Sequence, residues 1–180
     1  MIGVTCDSDT ASVSYARVIQ IYLVSIDISG TLPLSIGNFQ SMTSFGLPAN
    51  NIRGTIPSTI GALSSLNILQ LTENSLTGAI PSTMGLLILS KYIDLSSNSL
   101  TGTIPTTMSA LTSLGYVRFG NNYLTMGTAT TVPTSTFSSY TLSQSLALSD
   151  NCLAFDTDSP YRHVTATHCR PTSKYQVSVV

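Results

Sequence analysis

Apolar residues recur along the chain in a pattern that repeats every 24 positions. Leu69 and Leu71 alternate with polar Gln70, which is the period of a half-buried strand. In the segment before this strand, apolar residues stand three apart at Ile60, Leu63 and Leu66, a spacing that buries one side of a short or 3₁₀ helix. One strand and one short helical segment in each unit predict an α/β solenoid whose strands stack into a parallel sheet.

The repeat also predicts how the chain is divided. Four units are in register at residues 47–57, 71–81, 95–105 and 119–127. A first turn is in phase at Leu23, and the motif returns at residues 146–153 after about five extra residues. Because the end turns of a solenoid are usually atypical, we assign about six turns to residues 18–153. Residues 1–17 are assigned to a partial N-terminal cap and residues 154–180 to a C-terminal cap and tail.

Several positions of the unit have a structural task. An asparagine recurs where the chain turns inward, and its amide can satisfy backbone groups of adjacent turns. Glycine permits a tight bend, and proline fixes φ where a short helix can begin. The asparagines are Asn50, Asn74, Asn98, Asn122 and Asn151, the glycines are Gly54, Gly78 and Gly102, and the prolines are Pro57, Pro81 and Pro105. We expect these residues to form the fold rather than a binding site.

The full unit reads L-x-x-L-x-x-L-x-L-x-x-N-x-L-T-G-x-I-P-x-x-I-G, and residues 63–85 show it almost complete. It resembles the plant-specific class of leucine-rich repeats found in receptor-like kinase ectodomains and polygalacturonase-inhibiting proteins. The N-terminus is similar to the end of that family's cap at Gly3, Val4 and Cys6. The resemblance implies a right-handed superhelix with its parallel sheet on the concave face and 3₁₀ or helical segments on the convex side. It implies binding of peptides, steroids, glycans or other proteins.

Composition excludes some classes of partner. Only 8% of the residues are charged, and the seven Lys and Arg residues are scattered over a chain of net charge −1. Nucleic acids and anionic membrane surfaces are therefore not expected partners. No apolar run reaches the roughly 18 residues of a membrane span. Most of the polar residues are hydroxyl residues, 28 Ser and 25 Thr. Because no Asn-x-Ser/Thr sequence is present, N-glycosylation is not expected, and O-glycosylation is the alternative that the sequence leaves.

The C-terminal segment holds most of the reactive side chains. We predict a Cys152–Cys169 disulfide that closes a loop over the open end of the solenoid, which requires an oxidising compartment. Location outside the cell or at its surface follows, and Cys6 is left without a partner. A second set lies close in sequence but matches no familiar zinc-site spacing: Asp156, Asp158, His163, His168 and Cys169. No metal, cofactor or catalytic motif is predicted, so the chain is expected not to be an enzyme.

The candidate ligand-binding surface follows from positions 24 residues apart on the concave strands. Tyr92 should neighbour Tyr116, and Asp94 should neighbour Arg118, since adjacent strands lie about 4.8 Å apart. Exposed tyrosines beside an acid–base pair suit recognition, although such a stack and ion pair can also merely stabilise a sheet. The candidate residues are Tyr22, Gln70, Glu73, Tyr92, Asp94, Tyr116, Arg118 and Asn121.

Two classes of function fit these observations. The first is a non-catalytic extracellular recognition module that binds a protein, peptide or glycan through the concave face. The second is a structural subunit of an extracellular fibre or matrix that self-associates, with residues 175–180 as an added strand. Rows of hydroxyls on the convex side also suggest ice binding as a third function, although small polar residues there can simply fit the tight convex turns. These rows are Ser58, Ser82 and Thr106, and Thr59, Thr83 and Thr107.

Overall fold

The structure is a computed structural model, and it describes residues 3–7 and 16–125 together with the backbone of residues 146–147. Its larger sheet forms the concave face and has seven strands. In their order across the sheet these strands are β1 (Gly3–Asp7), β2 (Arg17–Tyr22), β4 (Ser44–Gly46), β6 (Ile68–Gln70), β8 (Tyr92–Asp94), β10 (Tyr116–Arg118) and β12 (Leu146–Ala147). The predicted α/β solenoid is confirmed.

The register of the concave sheet follows the sequence repeat. From β2 to β10 each strand pairs in parallel with the strand 24 residues later, so that Leu69 lies beside Ile93. Val117 pairs with Leu146, which is the register that the return of the motif at residue 146 predicts. Among the described strands of this sheet only β1 runs antiparallel, and it pairs with β2 at the N-terminal edge.

A second parallel sheet lies where the sequence analysis placed only tight bends. Its strands, in chain order, are β3 (Ser29–Thr31), β5 (Asn51–Thr55), β7 (Ser75–Ala79), β9 (Ser99–Gly102) and β11 (Tyr123–Leu124). The glycines do bend the backbone, since Gly54, Gly78 and Gly102 have φ of 78°, 74° and 75°. They do so inside strands rather than between elements. In β7, buried Leu76 between exposed Ser75 and Thr77 shows the strand alternation that was overlooked.

Within residues 16–125, four 3₁₀ helices cover the convex side, and each begins directly after a proline. They are η1 (Leu34–Asn38), η2 (Ser58–Ala62), η3 (Ser82–Leu86) and η4 (Thr106–Ala110). The prolines before them have extended backbones with φ between −76° and −62°. Because proline fixes φ in this range, the predicted role of proline in starting each helix is confirmed. Apolar side chains from the helices and both sheets form one buried cluster.

The recurring asparagines connect consecutive turns. The Asn98 side chain accepts a hydrogen bond from the Leu76 N–H at 2.9 Å and donates to the carbonyl oxygens of Leu71, Leu95 and Ser96 at 2.9–3.2 Å. Asn50 and Asn74 repeat this arrangement in the turns before it. The predicted role of the asparagines is confirmed for the part of the chain that is described, while Asn151 lies outside it.

The threonine row on the convex side is turned toward the neighbouring turn. Thr83 and Thr107 donate hydrogen bonds to the carbonyl oxygens of Ser58 and Ser82, both at 2.6 Å. The hydroxyl of Thr59 is buried without a partner. The hydroxyls of Thr83 and Thr107 therefore connect adjacent turns of the convex side, and ice binding by the hydroxyl rows stays a prediction. Ser58, Ser82 and Thr106 remain exposed.

Several predictions concern residues outside the described ranges. They include the Cys152–Cys169 disulfide, the acidic and histidine residues at positions 156–169, and the added strand at residues 175–180. Cys6 lies on β1 with an exposed, unpaired thiol. In residues 3–7 and 16–125, no helix has the length and hydrophobicity needed to span a bilayer.

Candidate functional site

Two tyrosines form the centre of the concave face. Tyr92 on β8 and Tyr116 on β10 are paired residues of adjacent strands. Their ring centroids are 4.9 Å apart, and the ring planes differ by 4°. The predicted neighbourhood is confirmed, but both side chains are half-buried rather than fully exposed. Each ring therefore covers part of the face of the other.

Asp94 lies beside Arg118 as predicted, but it is buried instead of exposed. The residue is only 2% exposed. One carboxylate oxygen accepts hydrogen bonds from the backbone N–H of Ser96 at 3.0 Å and from the Ser96 hydroxyl. The other accepts from the Tyr92 hydroxyl at 3.2 Å and lies 3.9 Å from an Arg118 nitrogen. Asp94 therefore holds its neighbours in position rather than facing a ligand.

The surroundings of Tyr92 change its acidity. Burial is the largest cause, followed by the negative charge of Asp94 and the hydrogen bond to it, and together they raise the pKa of Tyr92 to about 12. The positive charge of Arg118 opposes this shift. An unperturbed tyrosine has a pKa of about 10. Tyr92 thus stays neutral, and keeps its hydrogen bond to Asp94, well into alkaline solution.

We expect Tyr92 to ionise with a midpoint of about 12 in an alkaline titration followed by tyrosinate absorbance. Subtracting the titration curve of Tyr92→Phe from that of the parent chain isolates this residue. Because the folded pKa lies above the unfolded value, the stability that the neutral phenol contributes is complete below about pH 10. It is lost as the pH rises through about 12.

Asp94→Asn is the matched variant for this titration, because it keeps the shape of the side chain and removes its charge. The midpoint should then fall toward the ordinary tyrosine value. A difference curve centred near the ordinary value in the parent chain would contradict the contact between Tyr92 and Asp94.

Arg118 supplies the charge at the surface of this cluster. Its guanidinium carbon lies 4.8 Å from the centroid of the Tyr116 ring, within the range of a cation–π interaction. Its side chain is 47% exposed, whereas that of Asp94 is 3% exposed. Because an arginine carries five N–H donors, the exposed part of Arg118 can donate to an acceptor on a ligand. Ile68, the exposed neighbour of Tyr92 on β6, adds apolar surface. We call Ile68, Tyr92, Asp94, Tyr116 and Arg118 the concave cluster.

Tyr22 and Gln70 form a second contact on the same face. The Tyr22 hydroxyl donates to the side-chain oxygen of Gln70 at 2.8 Å, across the intervening strand β4. Gly46 on β4 makes this possible, since a Cβ there would overlap the Tyr22 ring. Gln70 pairs with Asp94 on the next strand. The two halves of the predicted surface are therefore continuous.

Glu73 and Asn121 lie in the turns that follow the strands, and both are exposed. Their φ angles are 55° and 54°, and Ala49 and Ser97 take the same left-handed conformation in their turns. Asn121 donates to the Ser97 hydroxyl at 3.4 Å. This left-handed position therefore shapes the backbone of the turn. Glu73 and Asn121 lie beside the concave face and not on its strands.

The chain resembles other proteins mainly through its structure. A family model for the Leucine Rich Repeat matches residues 91–111, and no protein of curated function matches in sequence. The ectodomain of the Arabidopsis thaliana receptor kinase GASSHO1/SCHENGEN3, in complex with CASPARIAN STRIP INTEGRITY FACTOR 2, is 33% identical with a TM-score of 0.74. It covers 84% of this chain, which spans 17% of that ectodomain.

Two further Arabidopsis receptor kinases are similar. HAESA, in complex with the peptide hormone IDA and the co-receptor SERK1, is 26% identical with a TM-score of 0.69. The match covers 85% of this chain and 24% of the HAESA chain. The ectodomain of SOBIR1 from Arabidopsis thaliana is 25% identical with a TM-score of 0.73. The match covers 84% of this chain and 80% of the SOBIR1 chain. The predicted resemblance to receptor-kinase ectodomains is thereby confirmed.

Proposed function

We propose, from the premise that this chain is a leucine-rich-repeat solenoid like those of plant receptor-kinase ectodomains, that it recognises a protein or peptide through its concave face. The proposal rests chiefly on the concave cluster. Stacked tyrosines and an arginine are the residue types that dominate the binding energy of protein interfaces. Their positions are already fixed by contacts within the sheet, so little conformational entropy is lost when a ligand binds.

The similar proteins support a peptide or protein ligand. GASSHO1/SCHENGEN3 was solved with CASPARIAN STRIP INTEGRITY FACTOR 2, and HAESA with a peptide hormone and a co-receptor. Leucine-rich-repeat ectodomains act outside the cell, and we propose the same for this chain. We also propose that it is not catalytic, because both histidines of the sequence, at positions 163 and 168, lie far along the chain from the cluster.

Peptide selection tests the proposal directly. Random peptides displayed on phage are selected on the immobilised chain, and the enriched peptides are synthesised and titrated against purified variants. We expect Tyr116→Ala and Arg118→Ala each to weaken binding at least about tenfold, which is the loss typical of a central interface residue. The measurement is the dissociation constant by calorimetry.

Tyr123→Ala is the matched control, since Tyr123 is an exposed tyrosine on the second sheet. We expect it to leave binding unchanged. Each variant must also unfold at the same denaturant concentration as the parent chain. Peptides that bind the two cluster variants as tightly as the parent chain would place the binding surface elsewhere.

A further inference from the structure

The contact between Tyr22 and Gln70 fixes the direction of the Gln70 amide group. The Tyr22 hydroxyl donates to its oxygen at 2.8 Å, while the amide nitrogen has no hydrogen-bond partner among the described residues. This nitrogen is open to solvent, since in that part of the chain the Thr59 hydroxyl is the one buried polar side-chain atom without a partner. Gln70 therefore presents two N–H donors from a fixed position on the concave face.

The core of the solenoid does not need this contact. It lies on the other face of the strands, where Phe45 and Leu69 are buried. Tyr22 reaches Gln70 across β4 because Gly46 leaves the space between them open. Since the two side chains are already ordered in the free chain, less conformational entropy is lost when a ligand binds to them. The contact is therefore better suited to recognition than to packing.

The charges around the Gln70 amide favour a neutral acceptor on the ligand. The residues paired with Gln70 on the adjacent strands are Gly46 on one side and Asp94 on the other. Arg118 lies one strand further away, beside Asp94. An anionic acceptor over Gln70 would therefore meet the negative charge of Asp94 before the positive charge of Arg118. A carbonyl oxygen of a peptide bond or of an amide side chain avoids this repulsion.

We propose that the Gln70 amide, positioned by Tyr22, binds a neutral carbonyl group of an extended peptide. This inference rests on the function proposed above and specifies the chemistry of the same face. Gln70 and Arg118 are paired with Asp94 from its two sides, so they stand two strand spacings apart, about 9.6 Å. An extended peptide advances about 3.3 Å per residue. A peptide that crosses the strands therefore places residues three apart over Gln70 and Arg118.

Peptides that need the concave cluster provide the test. They are the phage-selected peptides whose binding falls at least about tenfold with Tyr116→Ala, and they are titrated by calorimetry against variants of Gln70. We expect Gln70→Ala to weaken their binding about fivefold, which is the loss typical of one hydrogen bond. Gln70→Met keeps the length of the side chain and removes both N–H groups, so it should weaken binding to the same extent.

Tyr22→Phe distinguishes positioning of Gln70 from direct contact with the ligand. This change removes the hydroxyl group and leaves the ring over Gly46. We expect it to weaken binding about threefold in the parent chain and to have no effect when Gln70 is already alanine, because the hydroxyl acts through the amide. An equal loss from Tyr22→Phe in both backgrounds would overturn the positioning role of Tyr22.

Gln40→Ala and Tyr123→Phe are the matched controls, since Gln40 lies in an exposed turn after η1 and Tyr123 on the second sheet. Both should leave binding unchanged, and urea unfolding checks that each variant is folded. Peptides that need Tyr116 but bind Gln70→Ala and Gln70→Met as tightly as the parent chain would overturn this inference and leave the proposed function standing. Peptides indifferent to Tyr116→Ala and Arg118→Ala would overturn both.

Discussion

Replacing Asn98 with alanine should lower the free energy of unfolding by about 4 kcal/mol, a loss large for a single substitution. The side chain makes four hydrogen bonds to backbone groups of two successive turns. Alanine can make none of them, so one N–H and three carbonyl oxygens lose a partner in a buried location. Each buried group left unsatisfied costs about 1–3 kcal/mol, partly relieved where the carbonyl has another donor. Urea unfolding followed by circular dichroism gives the value.

Two variants show whether the hydrogen bonds of the recurring asparagine cause this loss of stability. Asn67→Ala removes an asparagine with a single hydrogen bond at 3.2 Å, to the Ser65 carbonyl, and should cost less than about 1 kcal/mol. Asn98→Asp keeps the acceptor for the Leu76 N–H but removes the donors and buries a charge. It should be at least as harmful as alanine. If Asn98→Ala were no worse than Asn67→Ala, hydrogen bonding between turns would not be what stabilises the stack.

The sequence was sufficient to predict strands β2, β4, β6, β8 and β10 of the concave sheet because one period sets their register. Each turn places the same residue types at the same points, so the register of β6 against β8 is fixed once the offset of 24 is recognised. The stacking of Tyr92 on Tyr116 follows from that register. The hydrogen bonds of the recurring asparagines were predictable for the same reason, since a polar residue that recurs at a buried position must make hydrogen bonds to the groups around it.

The second sheet was harder to predict because its signal is short. β7 buries one leucine between polar residues and then reaches a glycine with positive φ. Glycine in such a position usually indicates a turn. This turn signal outweighed the strand signal of the single buried leucine. Before Asn122 the left-handed position holds Asn121, a residue type that tolerates positive φ, but in three other turns this position has no signal in the sequence. Ala49, Glu73 and Ser97 occupy it, and none of these residue types favours positive φ.

The sequence predicted that Tyr92 lies beside Tyr116 and Asp94 beside Arg118, but it did not predict the burial of Asp94. Strand alternation shows on which face Asp94 lies, but it does not show what covers the carboxylate. That depends on Ser96, Tyr92 and Arg118 all turning toward it. The Tyr22–Gln70 contact spans two strands, and its only sign in the sequence is the missing side chain at Gly46. Side-chain direction, unlike register, is decided by contacts that a repeat does not encode.

Gly61→Ala should destabilise the chain by about 3 kcal/mol, at the upper end of the cost of overpacking. Gly61 lies in η2 and is buried against the following turn. A Cβ there would overlap the Thr83 carbonyl oxygen and lie 2.8 Å from the Thr83 Cβ. Since the opposing atoms belong to the backbone, no rotamer change relieves the clash, and the turns must separate. Urea unfolding measures the change.

Gly115→Ala is the control for this effect, because the nearest atom to a Cβ at Gly115 is the Lys91 carbonyl oxygen at 3.7 Å. Its stability should change by less than about 0.5 kcal/mol. Gly85 meets Thr107 as closely as Gly61 meets Thr83, so the same penalty should recur for Gly85→Ala. If Gly61→Ala and Gly115→Ala were equally stable, the convex side could expand freely, and the concave sheet alone would set the spacing of the solenoid.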